Sequence, residues 1–130
     1  QVKKAATGAT VIDDSYNANP DSVRAAIDVL ASSPPPTALV LGDMGEVGQK
    51  GEEFHREVGE YARAQGVTQL LALGEATRHT VEAFGEGARH FDSVQDLVSN
   101  LKGSTVLVKG SRFMKMERVV AALTGTGGVH

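Results

Sequence analysis

Thr37-Ala38-Leu39-Val40-Leu41-Gly42-Asp43 is an apolar run without polar alternation that ends on a glycine and an acid. A strand with one wet face alternates apolar and polar side chains, so a strand that is apolar at every position is covered on both faces. Such cover comes from helices above and below a mostly parallel sheet.

The flanking sequence agrees. Residues 32–36, Ser-Ser-Pro-Pro-Pro, break the chain just before this run. Upstream, Thr10-Val11-Ile12-Asp13-Asp14 reads as a strand, and Val23, Ala26, Ile27 and Leu30 follow at helical spacing. Downstream, Phe54, Val58, Tyr61 and Ala62 mark a second helix that ends near Gly66. Gln69 to Leu73 is a third strand, and a short helix is expected over residues 76–84. Residues 88–91 make a weak fourth strand. Ser93 can cap the next helix, with Asp96 in the capping-box position, and Val94, Leu97, Val98 and Leu101 form its stripe. Thr105-Val106-Leu107-Val108 is the fifth strand, followed by a last stripe of Met116, Val119, Val120 and Leu123. Residues 125–128 read as a loose tail. Strand and helix alternate throughout, which predicts one α/β domain over residues 1–130: a doubly wound, mostly parallel sheet with helices on both faces.

Composition bounds the function. The chain has 130 residues, 41% of them hydrophobic, and a net charge of -3. That size suits one ordinary domain, and that charge gives no footprint for nucleic acid or an anionic membrane. Without cysteine there are no disulfides or thiolate metal sites, which fits a reducing compartment. No apolar run reaches the ~20 residues of a membrane helix. No signal-peptide pattern is present, and Gln1 in place of Met leads us to expect a piece of a longer chain.

In doubly wound sheets ligands bind beyond the carboxyl ends of the strands. The residues there are Asp14-Ser15-Tyr16-Asn17-Ala18-Asn19-Pro20, Gly42-Asp43-Met44-Gly45-Glu46, Gly74-Glu75 and Lys109-Gly110-Ser111-Arg112. Each also has a plain structural use. Asn19-Pro20 fits an N-cap followed by proline at the first helical position. Asp13 and Asp14 are adjacent on a strand and point to opposite faces, so one of them can be idle. The glycines at 42, 45 and 48 suit tight turns, and their spacing is not a dinucleotide fingerprint. His55, near a helix start, reads as structural or solvated, and with no cysteine or paired histidine a zinc site is not expected. Lys109 closes a buried strand and puts a cation at the rim. No G-x-x-x-x-G-K-[ST] is present, so this chain has no loop to cradle a triphosphate. No Ser-His or Cys-His pair is evident, and as a self-sufficient enzyme the chain is under-equipped.

Residues 11–22, Val-Ile-Asp-Asp-Ser-Tyr-Asn-Ala-Asn-Pro-Asp-Ser, resemble the opening of the C-terminal domain in the D-alanyl-D-alanine-adding ligases of the Mur ligase family. Leu41-Gly42-Asp43-Met44-Gly45-Glu46-Val47-Gly48 is similar to the same family's second-strand segment. His55-Arg56-Glu57-Val58-Gly59 follows as it does there. The stretch 106–117, Val-Leu-Val-Lys-Gly-Ser-Arg-Phe-Met-Lys-Met-Glu, looks like its last strand and helix. The four blocks stand in the family's order and span most of the chain. Departures lie in the loops, above all at the prolines 34–36.

The resemblance implies a Rossmann-like third domain that closes over an active site built with two others. An N-terminal domain holds the UDP-sugar end of the substrate. A central ATPase domain carries the P-loop, the Mg2+ sites and a carbamylated lysine. The implied cytoplasmic reaction of peptidoglycan synthesis phosphorylates the carboxylate of UDP-N-acetylmuramoyl-tripeptide with ATP. The amine of D-Ala-D-Ala then attacks the acyl phosphate. By position, Asp14 corresponds to the acid that reaches the nucleotide ribose, and Tyr16, Asn17 and Asn19 to the turn beside the adenosine. Lys109, Ser111 and Arg112 fall in a substrate-side loop whose cation can hold the D-Ala-D-Ala carboxylate. No catalytic or metal-binding residue is expected in this domain, and alone it should be inactive.

Two rival readings fit parts of the pattern. A signalling receiver domain has paired acids after its first strand and a lysine after its fifth, where Asp13, Asp14 and Lys109 stand. Its phospho-acceptor would be Asp43, but that residue follows the second strand and not the third. The other is a stand-alone nucleotide-binding or interaction module that uses the same rim.

Overall fold

The computed structural model describes residues 1–15, 19–45, 51–111 and 114–125. Its strands are β1 (Val2–Lys4), β2 (Thr10–Asp14), β3 (Thr37–Gly42), β4 (Gln69–Leu73), β5 (Ala88–Phe91) and β6 (Thr105–Lys109). The helices are α1 (Pro20–Ala31), α2 (Gly51–Ala64), α3 (Thr77–Phe84), α4 (Val94–Ser99) and α5 (Glu117–Thr124). They form one six-stranded sheet in the order β1-β2-β6-β3-β4-β5. Only β1 runs antiparallel, against β2; the other pairings are parallel.

Both faces of the sheet are buried, as the unbroken apolar run of β3 requires. On one face Leu39, Leu41, Leu70, Ala72 and Leu107 pack under Val23, Ile27 and Leu30 of α1, Phe54 and Val58 of α2, and Phe84 of α3. On the other, Val11, Val40, Leu71, Val106 and Val108 pack under Leu97 of α4 and Val119 and Val120 of α5. Alternate residues of one strand thus serve opposite cores, the period-2 rule applied to a doubly covered sheet.

One strand was missed, one weak reading holds and two ends shift. β1 was not anticipated. With one apolar residue and two lysines in three positions it carries no alternation to read, and such a short, charged strand is how an exposed sheet edge is protected. β5, weak in the sequence, is the opposite edge; burial is demanded on fewer sides there, so its pattern Ala-Arg-His-Phe is mixed. The fifth predicted strand runs one residue further, to Lys109, because that lysine is itself buried. Of the predicted tail, Gly125 is the left-handed C-cap of α5 and the remainder lies outside the described residues.

The order of the strands sets the site. α1, α2 and α3 pack on one face while the chain steps outward to β5. α4, on the other face, then returns it to β6, between β2 and β3. β2 and β3 therefore lead into helices on one face and β6 leads into α5 on the other. Where neighbouring strands send their connections to opposite faces, their carboxyl ends open into a crevice.

Candidate functional site

Asp14 and Lys109 are the last residues of β2 and β6, and they are direct partners in the parallel register. Lys109 Nζ donates to Asp14 Oδ2 at 2.6 Å. The lysine side chain is fully buried, whereas 37% of the Asp14 side chain remains exposed. A carboxylate next to the first-strand turn is therefore presented at the mouth of the crevice, with its counter-ion beneath it.

Asp13 belongs to the other face of β2. Its Oδ1 accepts from the Ser15 hydroxyl at 2.7 Å and the Ser15 amide at 3.2 Å. Lys3 of the edge strand lies 3.2 Å from Oδ2. Burial alone pushes the Asp13 carboxyl up, but the Ser15 hydroxyl, Lys3 and the Ser15 amide together outweigh it and hold the group below its ordinary range. Asp13 has its own partners and a structural use, and Asp14 is the acid at the rim.

Asn19 is the N-cap of α1. Its Oδ1 accepts from Ser22 N at 2.9 Å, its amide N–H donates to the Ser22 hydroxyl, and Pro20 follows at the first helical position. The expected cap is present at the start of α1. Tyr16 and Asn17, the other two expected adenosine neighbours, lie outside the described residues, as does Arg112.

Ser111 ties two rim loops together. Its amide donates to Asp43 O at 3.0 Å, and its hydroxyl accepts from Gly45 N at 2.7 Å. Close packing beneath explains two glycines. A Cβ on Gly110 would sit 2.6 Å from Met116 Cγ and 3.2 Å from the Gly42 Cα, and one on Gly42 would collide with the Met116 sulfur. The ends of β3 and β6 thus approach with only hydrogen between them, and Met116 seals them from below.

One structural role at this rim was not legible, and another was read only as structural or solvated. Asp43 Oδ1 accepts from Thr77 N at 3.0 Å, at the start of α3, where Ala76 offers no side-chain cap. An acid from β3 therefore caps a helix that begins after β4, and Gly74, with φ of 106°, leaves room for its carboxylate. His55, buried in α2, accepts from Met44 N at 3.1 Å through Nε2, which makes Nδ1 the donor to Gly51 O at 2.6 Å. The Asp43 contact spans 34 residues and no local pattern signals it, whereas the His55 contact joins neighbouring segments 11 residues apart. Among the described residues no group of three or more His, Asp or Glu could hold a metal, and no helix is long and apolar enough to cross a membrane.

Comparison with known proteins agrees with this geometry. Residues 1–112 match the family described as Mur ligase, glutamate ligase domain. The chain is 43% identical over 124 residues to the UDP-N-acetylmuramoyl-tripeptide--D-alanyl-D-alanine ligase of Escherichia coli, covering 90% of this chain and 27% of that one. To the ligase of the same name from Bacillus subtilis it is 32% identical, covering 92% of this chain and 29% of the other. Among solved structures, MurF from Acinetobacter baumannii superposes with a TM-score of 0.83 at 28% identity, over 96% of this chain and 29% of that one. The MurF ligase from Thermotoga maritima in complex with ADP shares the fold, with a TM-score of 0.79 at 23% identity, over 97% of this chain and 30% of that one. The chain spans less than a third of the length of the relatives it matches. Neither rival reading accounts for these likenesses, and the chain belongs to the Mur ligase family, in its glutamate ligase domain.

Proposed function

We propose that this chain is the C-terminal domain of an ATP-dependent ligase that joins D-Ala-D-Ala to UDP-N-acetylmuramoyl-tripeptide in bacterial peptidoglycan synthesis. The observation that carries the reading is Asp14. It is accessible at the mouth of the topological switch point, held from below by Lys109, and occupies the position that the family resemblance assigns to the ribose-binding acid.

The domain's contribution follows from its side chains. A carboxylate accepts from both ribose hydroxyls, and an asparagine-rich turn donates and accepts at a base edge. Residues 14–19 supply Asp14, Tyr16, Asn17 and Asn19 for this. The 109–112 loop contributes to the acceptor dipeptide's site. The amine of D-Ala-D-Ala must stay unbound to attack the acyl phosphate, so the dipeptide is held by its carboxylate, which calls for a cation. Triphosphate binding, Mg2+ and the acyl-phosphate step belong to the central domain of the complete cytoplasmic enzyme, and the UDP-sugar to the N-terminal one. The amide forms as the dipeptide nitrogen displaces phosphate, releasing ADP and phosphate.

The test is ligation by the full-length protein containing this domain, with UDP-N-acetylmuramoyl-tripeptide, ATP and D-Ala-D-Ala. Amide formation that requires all three supports the reading. Indifference to D-Ala-D-Ala, or preference for a single amino acid, overturns it.

A further inference from the structure

We infer that Lys109 is a positioning residue that sets Asp14 for the nucleotide, and is not the cation that receives the dipeptide carboxylate. The inference rests on the function proposed above and assigns a specific role within that site.

Lys109 is one of the largest fully buried side chains of the molecule. It ends β6, which is paired on both sides: Lys109 registers with Asp14 of β2 and with Leu41 of β3. By the alternation of β6 its side chain lies on the face of Leu107, and none of it is exposed. Its ammonium lies 2.6 Å from Asp14 Oδ2. To reach an incoming carboxylate it would have to leave Asp14 and emerge from this packing, which strips a buried charge of its partner.

The asymmetry of the pair indicates its use. The cation has no exposed surface and the anion keeps more than a third of its own. Packing fixes the lysine, the lysine fixes Oδ2, and the accessible carboxylate is ordered before any ligand arrives. A nucleotide then need not supply the cost of ordering the acid, so binding is tighter by the factor that ordering would remove, about three- to tenfold for one side chain. The pair also joins the carboxyl ends of β2 and β6, so displacement of one strand end moves the other.

The experiment compares Lys109→Met and Asp14→Ala, singly and together, in the full-length ligase. The readouts are KM for ATP, KM for D-Ala-D-Ala and the melting temperature. Lys109→Met is expected to raise KM for ATP at least threefold and to leave KM for D-Ala-D-Ala within twofold. On the Asp14→Ala background, which leaves no acceptor to position, it should change KM for ATP by less than twofold, because the lysine acts only through the acid. Lys109→Gln keeps a shorter donor and should fall between wild type and Lys109→Met. It also carries the comparison if the methionine variant does not fold. A rise confined to D-Ala-D-Ala makes Lys109 the carboxylate anchor and overturns the inference. So does a drop in melting temperature with both KM values unchanged, which leaves the pair purely structural. If the wild-type protein shows no ATP-dependent ligation, the functional reading itself falls, and that is seen before any substitution is made.

Discussion

Asp13 and Asp14 are consecutive in the chain and serve opposite sides of the sheet: Asp13 is locked to Ser15 and Lys3, and Asp14 stands at the crevice over Lys109. The alternation of β2 separates an acid with its own structural partners from one presented at the crevice. In the full-length enzyme Asp14→Asn keeps an acceptor for Lys109 but removes the charge offered to the ribose. Charge-assisted hydrogen bonds contribute about 1.5–3 kcal/mol, so KM for ATP should rise roughly tenfold or more, with that for D-Ala-D-Ala moving much less. Asp13→Asn should leave both constants near wild type. The reverse pattern in steady-state kinetics would show that the acids have exchanged roles.

Asp13 should show itself in stability. Its folded-state pKa lies below the ordinary 3.8, so the unfolded chain binds more protons around that value. The stabilisation is fully present above about pH 5 and is lost as the pH falls through 3.8 toward the folded value. Asp13→Asn should cost about 1–3 kcal/mol near neutrality through its lost hydrogen bonds, and less at pH 3. Urea unfolding at the two pH values checks this; an equal loss at both would assign the effect to packing.

Gly110→Ala tests the close approach beneath the rim. The added methyl group meets Met116 Cγ and the Gly42 backbone, and overpacking of this kind costs about 1–3 kcal/mol. Met116→Ala alone opens a cavity at a fully buried site and should cost about 2–5 kcal/mol. The double variant should be less destabilised than the sum of the two, because the shorter side chain vacates the space the methyl needs. Strict additivity in denaturant melts would mean that the two sites do not share that space.

These contacts also mark how far the sequence could be read. Each parallel strand of the sheet and each helix was legible, because a covered strand and an amphipathic helix write their burial into their own residues. The Asn19 cap and the split between Asp13 and Asp14 were legible for the same local reason. β1 was not, since three residues at an edge bury too little to leave a pattern. The fate of Lys109 was not either: its partner is 95 residues away, and a lysine at a strand end reads equally as an exposed anchor or a buried counter-ion. Asp43 capping α3 is of that kind, a long-range contact without a local signature.

The isolated domain should fold, having a core on each face of its own sheet, but should bind ATP weakly. Under the proposed function, ribose and base contacts are only part of an ATP site whose phosphate and Mg2+ groups would lie on another domain. A Kd of roughly millimolar or weaker is expected by calorimetry, with no ATP hydrolysis. Micromolar binding would favour a self-sufficient nucleotide-binding module.

With Lys109 committed to Asp14, recognition of the dipeptide carboxylate should fall to Arg112. The residue before it prepares the loop for this: Ser111 anchors on Asp43 O and Gly45 N, which ties the chain immediately ahead of Arg112 to the rim of β3. A guanidinium matches a carboxylate with two parallel hydrogen bonds, a geometry lysine cannot reproduce. Arg112→Ala should raise KM for D-Ala-D-Ala about tenfold or more and change KM for ATP by less than twofold. Arg112→Lys should recover only part of the loss. The structural alternative, that Arg112 merely covers the start of α5, is electrostatically poor, because a helix N-terminus carries partial positive charge. Under that alternative the substitution would lower the melting temperature and spare KM. If the D-Ala-D-Ala constant does not respond to Arg112→Ala, the 109–112 loop is scaffold and the carboxylate is held by another domain.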